Sequence, residues 1–227
     1  MADNKDSNTE FDIQEKIGDA EEFLNKNRKS LTIIVSAVVL AVAGYLLYEK
    51  VYVAGKEKDA SSQMYVAENY FRMDSLKLAI AGDKTNPGFE SIIDDYGVSP
   101  SANLAHFYLG MSYLKKGEYD KAIETLKSYS AKDDITGAMA YGAIGDAYME
   151  QSNNDDAIKY YEKASKETPN NFTTPVYLNK LAMANEIAGK YKDAVDAYDR
   201  LIKEYPETQE GRNALKYKTR AEALASK

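Results

Sequence analysis

Leu31–Tyr48, LTIIVSAVVLAVAGYLLY, holds eighteen residues without a charge or a proline. A helix of about 20 residues spans the ~30 Å hydrocarbon core of a bilayer. Ser30 at one end and Val51–Val53 at the other extend the run to that length. Thr32 and Ser36 are its most polar members, and both can hydrogen-bond back to their own helix. Tyr45, Tyr48 and Tyr52 gather at the far end, where an amphipathic ring favours the water interface. The run reads as a transmembrane anchor over residues 30–53. A buried core helix suits it less, because the rest of the chain is much more polar. A cleaved leader needs a short basic start. Here Met1–Ser30 comes first with eight acidic and five basic residues, and the apolar run continues past Ala41-Val42-Ala43.

Orientation rests on flanking charge. Lys26, Arg28 and Lys29 abut the N-terminal end and favour that end inside. Lys50, Lys56 and Lys58 weaken the bias by count, but a long segment after an anchor translocates largely regardless of its charge. The expected division is a cytoplasmic acidic tail over residues 1–29, the anchor, and a domain over residues 56–227 on the far side.

Before the anchor, Met1–Glu10 is polar and acidic and is expected to be disordered. Ile13, Ile17, Ala20 and Leu24 then recur at helical spacing with Phe23 beside them. The resulting amphipathic helix has an acidic flank. Two readings stand for Ile13, Ile17, Phe23 and Leu24: a helix lying on the lipid headgroups, or one docked on a basic protein surface.

With 29 Lys+Arg against 36 Asp+Glu the chain carries −7, and Val51–Lys227 holds 23 and 27 of these. No basic face suited to a phosphate backbone is apparent, so nucleic acid is not an expected partner. Cysteine is absent, which removes disulfides, thiolate metal sites and cysteine nucleophiles together. One histidine cannot make a two-histidine zinc motif, and no phosphate-cradling glycine loop occurs. His106 reads as a packing residue. No cofactor and no enzymatic activity are expected.

After the anchor, Val53-Ala54-Gly55 is expected to loosen the helix. Lys56–Gly82 reads as one long helix with Met64, Ala67, Phe71, Leu76 and Ile80 on its apolar side. Asn86-Pro87-Gly88 punctuates a turn, and Phe89–Tyr96 reads as a second, short helix. Beyond it the chain repeats. Tyr141, Ile144-Gly145, Tyr148, Ala157, Tyr161, Ala164 and Pro169 follow the tetratricopeptide pattern. The preceding copy has Leu109-Gly110, Tyr113, Gly117, Tyr119, Ala122 and Leu126, with His106 in its leading aromatic slot. The following copy has Leu178, Leu181-Ala182, Tyr191, Ala194, Tyr198 and Pro206. Gly110 to Gly145 is 35 residues and Gly145 to Ala182 is 37, close to the ~34 of this repeat class. The fold expected is all-α: a single transmembrane helix followed by a helix-turn-helix solenoid. It would comprise a degenerate repeat near 56–100, repeats near 103–136, 138–171 and 175–208, and a capping helix over 208–226.

In such repeats the first helix of each hairpin lines a concave groove. That pattern selects Leu104, Phe107, Met111 and Leu114, then Met139, Gly142, Asp146 and Met149, then Val176, Asn179, Met183 and Ile187. Four of the six methionines beyond the initiator fall there. A flexible methionine surface suits varied apolar segments; the same side chains can also simply fill gaps between hairpins. Lys, Arg and Asn would be needed to grip chaperone C-terminal carboxylates, and Phe107 and Met111 occupy such places.

The acidic amphipathic start, the junction Phe23-Leu24-Asn25-Lys26-Asn27-Arg28-Lys29-Ser30-Leu31, the anchor and the repeats together resemble the YfgM-type ancillary subunits of the bacterial Sec translocon. The resemblance implies an inner-membrane protein held beside the channel, its repeats in the periplasm. There it would bind newly translocated or unfolded chains, or hand them to periplasmic chaperones. The alternative is a membrane-anchored scaffold for another envelope complex.

Overall fold

The computed structural model describes residues 23–167 and 169–226. The chain forms two compact units, Met1–Gly55 and Lys56–Lys227. Ile13 and Ile17 lie outside the described residues. Phe23 and Leu24 sit in a short helical turn and are 61% and 55% exposed.

In the first unit, helix α1 (Arg28–Leu47) buries none of its residues. Ile33, Ile34, Val35, Val38, Val39, Leu40 and Leu46 all stand exposed, so the helix is long and apolar enough to cross a bilayer. Thr32 hands its hydroxyl proton to the Arg28 carbonyl at 2.8 Å, satisfying its polar group within the helix. A π-helical segment, Tyr48–Val53, follows. Gly55 falls inside helix α2 (Ala54–Arg72) instead of loosening it.

Apart from one isolated bridge between Gly82 and Pro87, regular structure among the described residues is helical. After α2 come α3 (Leu76–Ala81), α4 (Phe89–Tyr96), α5 (Pro100–Lys116), α6 (Tyr119–Ser128), α7 (Asp134–Glu150), α8 (Asn154–Lys166), α9 (Thr174–Ile187), α10 (Tyr191–Glu204) and α11 (Gln209–Ala225).

Four helix ends share one device. Asp74, Gly117, Ser152 and Gly189 each adopt positive φ. At each the backbone closes with the paired bonds of a Schellman turn, such as Gly117 N to Leu114 O and Glu118 N to Tyr113 O. These four residues mark where the chain reverses within each hairpin, at intervals of 43, 35 and 37 residues. The long first interval corrects the expectation of a single helix over Lys56–Gly82. The chain turns at Asp74, where Asp74 N bonds Phe71 O and Ser75 N bonds Tyr70 O. The segment around Asn86-Pro87-Gly88 is an insertion between α3 and α4. It is pinned by Asp83, whose carboxylate accepts from Tyr70 Oη at 2.6 Å and from the Thr85 and Asn86 amides at 2.7 Å.

Within the stack, small residues set the helix separation. A Cβ added to Gly110 would meet Leu126 Cγ at 2.5 Å, and one added to Gly145 would meet the Tyr161 ring at 2.7 Å. The large buried side chains Phe89, Ile92, Leu126, Ile144, Leu178, Tyr198 and Leu201 fill the intervals. Each such burial contributes roughly 1.5–3 kcal/mol. Asn153 caps α8 by accepting from Asp156 N. The last helix, α11, buries Ala214 and Ala221 against this stack and stacks Tyr217 on Tyr198.

Candidate binding groove

The first helices of three successive hairpins, α5, α7 and α9, carry the residues selected from the sequence. Leu114, Met149, Met183 and Ile187 come together around an open cavity of about 510 Å³, with Tyr119, Asp146, Glu150, Tyr161, Lys180 and Ala184 completing its wall. Met183 and Ile187 are 49% and 61% exposed. Val176 is exposed farther up α9 and does not line this cavity. Asn179 donates to the Met183 sulfur at 3.6 Å.

The other selected residues behave differently. Phe107 is only 6% exposed. It packs with Ile123, Leu126, Ala140, Ala143, Ile144 and Ala147, and its ring lies 5.5 Å from that of Tyr129. It is a core residue, not a groove contact, because its position on α5 points at the α6–α7 junction. Leu104, Met111 and Met139 pack half-buried against the same cluster. These two methionines fill gaps between hairpins, as polarisable, unbranched side chains readily do.

The cavity wall also contains a polar centre. Lys180 Nζ lies 2.7 Å from both Asp146 carboxylate oxygens, and the Tyr161 hydroxyl donates to Oδ1 at 2.6 Å. The same ammonium sits 5.9 Å from the centroids of the Tyr161 and Tyr177 rings, a cation–π distance. Burial, then the bond to Asp146, pushes the Tyr161 phenol far up. Burial, then the Asp146 charge, pushes Tyr177 up to about 12. Both phenols therefore stay neutral around pH 7. The Asp146 charge is satisfied from within, which leaves methionine and isoleucine side chains as the unengaged part of the wall. Such a surface takes apolar side chains from a polypeptide and offers a fixed polar edge beside them.

The repeat pattern places Asp146 on the groove face, but its pairing with Lys180 and Tyr161 was not foreseen from the sequence. A signal for them exists: Asp146 and Lys180 are 34 residues apart, and Arg220 pairs with Glu186 across the same interval while Lys190 reaches Asp155 across 35. Opposite charges one repeat apart meet on adjacent hairpins. His106 is half-buried, and burial lowers its affinity for a proton. Among the described residues, no group of three His, Asp or Glu side chains converges as metal ligands.

A family profile described as Tetratricopeptide repeat matches residues 89–134 and 143–208. Superkiller complex protein 3 of Homo sapiens is 24% identical over 147 residues, covering 65% of this chain and 9% of that protein. Tetratricopeptide repeat protein 29 of Macaca fascicularis is 33% identical over 88 residues, 37% of this chain and 18% of that protein. The chain thus spans less than a fifth of the length of these curated relatives. Among solved structures, the MamA protein superposes with a TM-score of 0.56 at 20% identity, covering 74% of this chain and 84% of its own. A putative kinesin light chain of Podosopora anserina with nearly identical TPR-like repeats superposes at 0.55 with 15% identity, covering 75% and 88%. At these identities the likeness concerns the fold.

Proposed function

This chain's repeat domain belongs to the tetratricopeptide repeat family of protein-interaction scaffolds, and on that premise we propose that the protein is a single-pass membrane subunit that holds polypeptide segments in the groove across α5, α7 and α9. The observation that carries this is the convergence of Leu114, Met149, Met183 and Ile187 on one open cavity. Residues about one repeat apart meet there because the hairpins stack. The exposed apolar length of α1 supports an anchor over residues 30–53. In this reading residues 1–29 face the cytoplasm, and residues 56–227 work in the periplasm beside the Sec translocon. They receive newly translocated chains there or pass them to periplasmic chaperones. Phe23 and Leu24, with Ile13 and Ile17, dock the chain at the channel.

One observation favours the scaffold for another envelope complex as a second reading. A satisfied Asp146–Lys180–Tyr161 centre in the wall is a fixed polar pattern, and fixed patterns select particular partners. In-cell photocrosslinking from Ile187 separates the two. The translocon reading expects many clients at Ile187 and channel subunits at a second crosslinker placed at Ile34. Recovery of one recurrent envelope partner at Ile187, with no channel subunit at Ile34, would replace it with the scaffold.

A further inference from the structure

A helical hairpin carries the chain out and back, so the first helices of successive hairpins start at one edge of the repeat domain. Hydrogen bonds tie these starts together. Near the beginning of α2, Glu57 accepts from the Ser101 amide and hydroxyl at 2.8 Å, at the beginning of α5. Lys56 donates to the Asp95 carbonyl at the end of α4 at 2.9 Å. Asn103 on α5 exchanges two bonds with the backbone of Ser130, just ahead of α7. Helix α7 packs on both α5 and α9.

One exposed apolar side chain stands on this edge in each repeat. Val98 precedes α5, Ile135 is the second residue of α7, and Phe172 precedes α9. They are 46%, 47% and 82% exposed, and 37 residues separate each from the next. None of the three lines the groove described above. Packed helices stand about 8–10 Å apart, so the three tips form a row roughly 20 Å long.

The tether says what lies opposite this row. This step rests on the anchor proposed over residues 30–53. Lys56 is the third residue after Val53, and three residues reach at most about 10 Å. Chain length alone keeps the start of α2 near the bilayer surface, and α2 starts on the edge that carries the row. So short a tether makes docking intramolecular, at an effective concentration on the order of millimolar. A few apolar tips then suffice where a free protein would need a larger surface. Within four residues of the tips the chain carries Asp94, Asp95, Asp133 and Asp134 against Lys132. Anionic headgroups repel such an edge, so apolar contact with a neutral lipid surface is the attraction that remains.

We propose that this edge docks on the bilayer that holds the anchor, with Val98, Ile135 and Phe172 seated among neutral lipid headgroups. The chain has no cysteine, so single labelling sites are simple to install. The full chain, carrying the fluorophore NBD on Asn171→Cys beside Phe172, is reconstituted in phosphatidylcholine vesicles. Some vesicles include a lipid with a nitroxide high on its acyl chain. The nitroxide should lower Asn171→Cys emission at least twofold. Labels on Met73→Cys and Lys192→Cys, at the opposite edge, should change by less than a fifth. Val98→Ser/Ile135→Ser/Phe172→Ser should abolish the quenching at Asn171→Cys while leaving thermal unfolding unchanged. A label on Ile34→Cys reports the anchor separately. If Ile34→Cys is quenched and Asn171→Cys is not, the docking edge alone is overturned. If Ile34→Cys is unquenched, the anchor falls and the docking with it. Equal quenching at both edges, undiminished quenching in the folded triple variant, or stronger quenching when phosphatidylserine is added would each overturn the proposal. Should the triple variant fail to fold, the contrast between Asn171→Cys and the opposite edge decides.

Discussion

Gly142 of α7 lies so close to Tyr177 of α9 that a methyl group added at its Cα would sit 1.9 Å from the ring Cε1. Tyr177 is 9% exposed and sits in the core formed by the last two hairpins. The absent side chain of Gly142 is what allows the Tyr177 ring to approach α7 this closely, so this contact sets how near the two first helices come.

Gly142→Ala should therefore destabilise the repeat domain, although alanine is the better helix former. The ring must move or the helices must separate, and overpacking of this kind typically costs about 1–3 kcal/mol. Thermal unfolding of the full chain checks it. Gly55→Ala is the contrast: no atom lies within 4 Å of its added Cβ, and it should be neutral or slightly stabilising. Equal unfolding of the two variants would contradict the contact.

Ser152 adopts φ 59° and ends α7 with no side-chain partner at its own hydroxyl among the described bonds. An L-residue pays roughly 1–2 kcal/mol for the left-handed region, and glycine returns about half of that as unfolded-state entropy. Ser152→Gly should raise stability by about 0.5–1 kcal/mol. Gly117→Ala and Gly189→Ala, at φ 78° and 73°, should lower it. Chemical denaturation of the three variants tests the sign in each.

These turn residues also show how far the sequence could be read. Gly117 and Gly189 announce their turns, because glycine is the usual residue there. Asp74 and Ser152 make the same turn without glycine, so a reading by punctuation passes over Asp74 and stops at Asn86-Pro87-Gly88 instead. The repeats themselves were legible because Gly110, Gly145 and the tyrosines at fixed offsets encode helix spacing locally. The groove was less so. Helical spacing says which face of α5 Phe107 occupies, but only the course of Tyr129 and the α6–α7 loop decides that this face is covered. Likewise, Lys180 reads as a solvated charge until the stack brings it to Asp146.

Alkaline titration gives a third test. Tyr177 has its phenol pushed up to about 12, against about 10 in an unfolded chain. A folded-state value above the unfolded one means the folded protein keeps its proton longer. Its stabilising contribution is complete below pH ~10 and is lost as pH rises from ~10 to ~12. Tyr113, Tyr161 and Tyr198 are shifted upward as well and steepen the same limb. Tyr177→Phe deletes one titrating group without removing a hydrogen bond seen here. The slope of stability against pH above 10 should become shallower by up to one proton, while the slope between pH 6 and 9 stays as it was. An unchanged alkaline limb would mean that Tyr177 is as solvated folded as unfolded.

Phe107 and Met183 were selected from the sequence for the same role, and the structure assigns them different physics. Phe107→Ser removes a buried ring from a cluster shared by two hairpins, and large-to-small core changes of this kind cost about 3–5 kcal/mol. Any loss of partner crosslinks in that variant should track its loss of folded protein. Met183→Asp and Ile187→Asp place charges where the side chains already face water, so unfolding should shift by no more than about 0.5 kcal/mol. A carboxylate buried by an apolar occupant is expensive, and these two changes together should reduce groove crosslinks at least tenfold. The measurement pairs thermal unfolding with crosslink yield from Met149, which lines the same cavity. A folded Met183→Asp/Ile187→Asp variant that still crosslinks at full yield would remove the groove as the binding surface. A folded Phe107→Ser variant that has lost its crosslinks would return Phe107 to it.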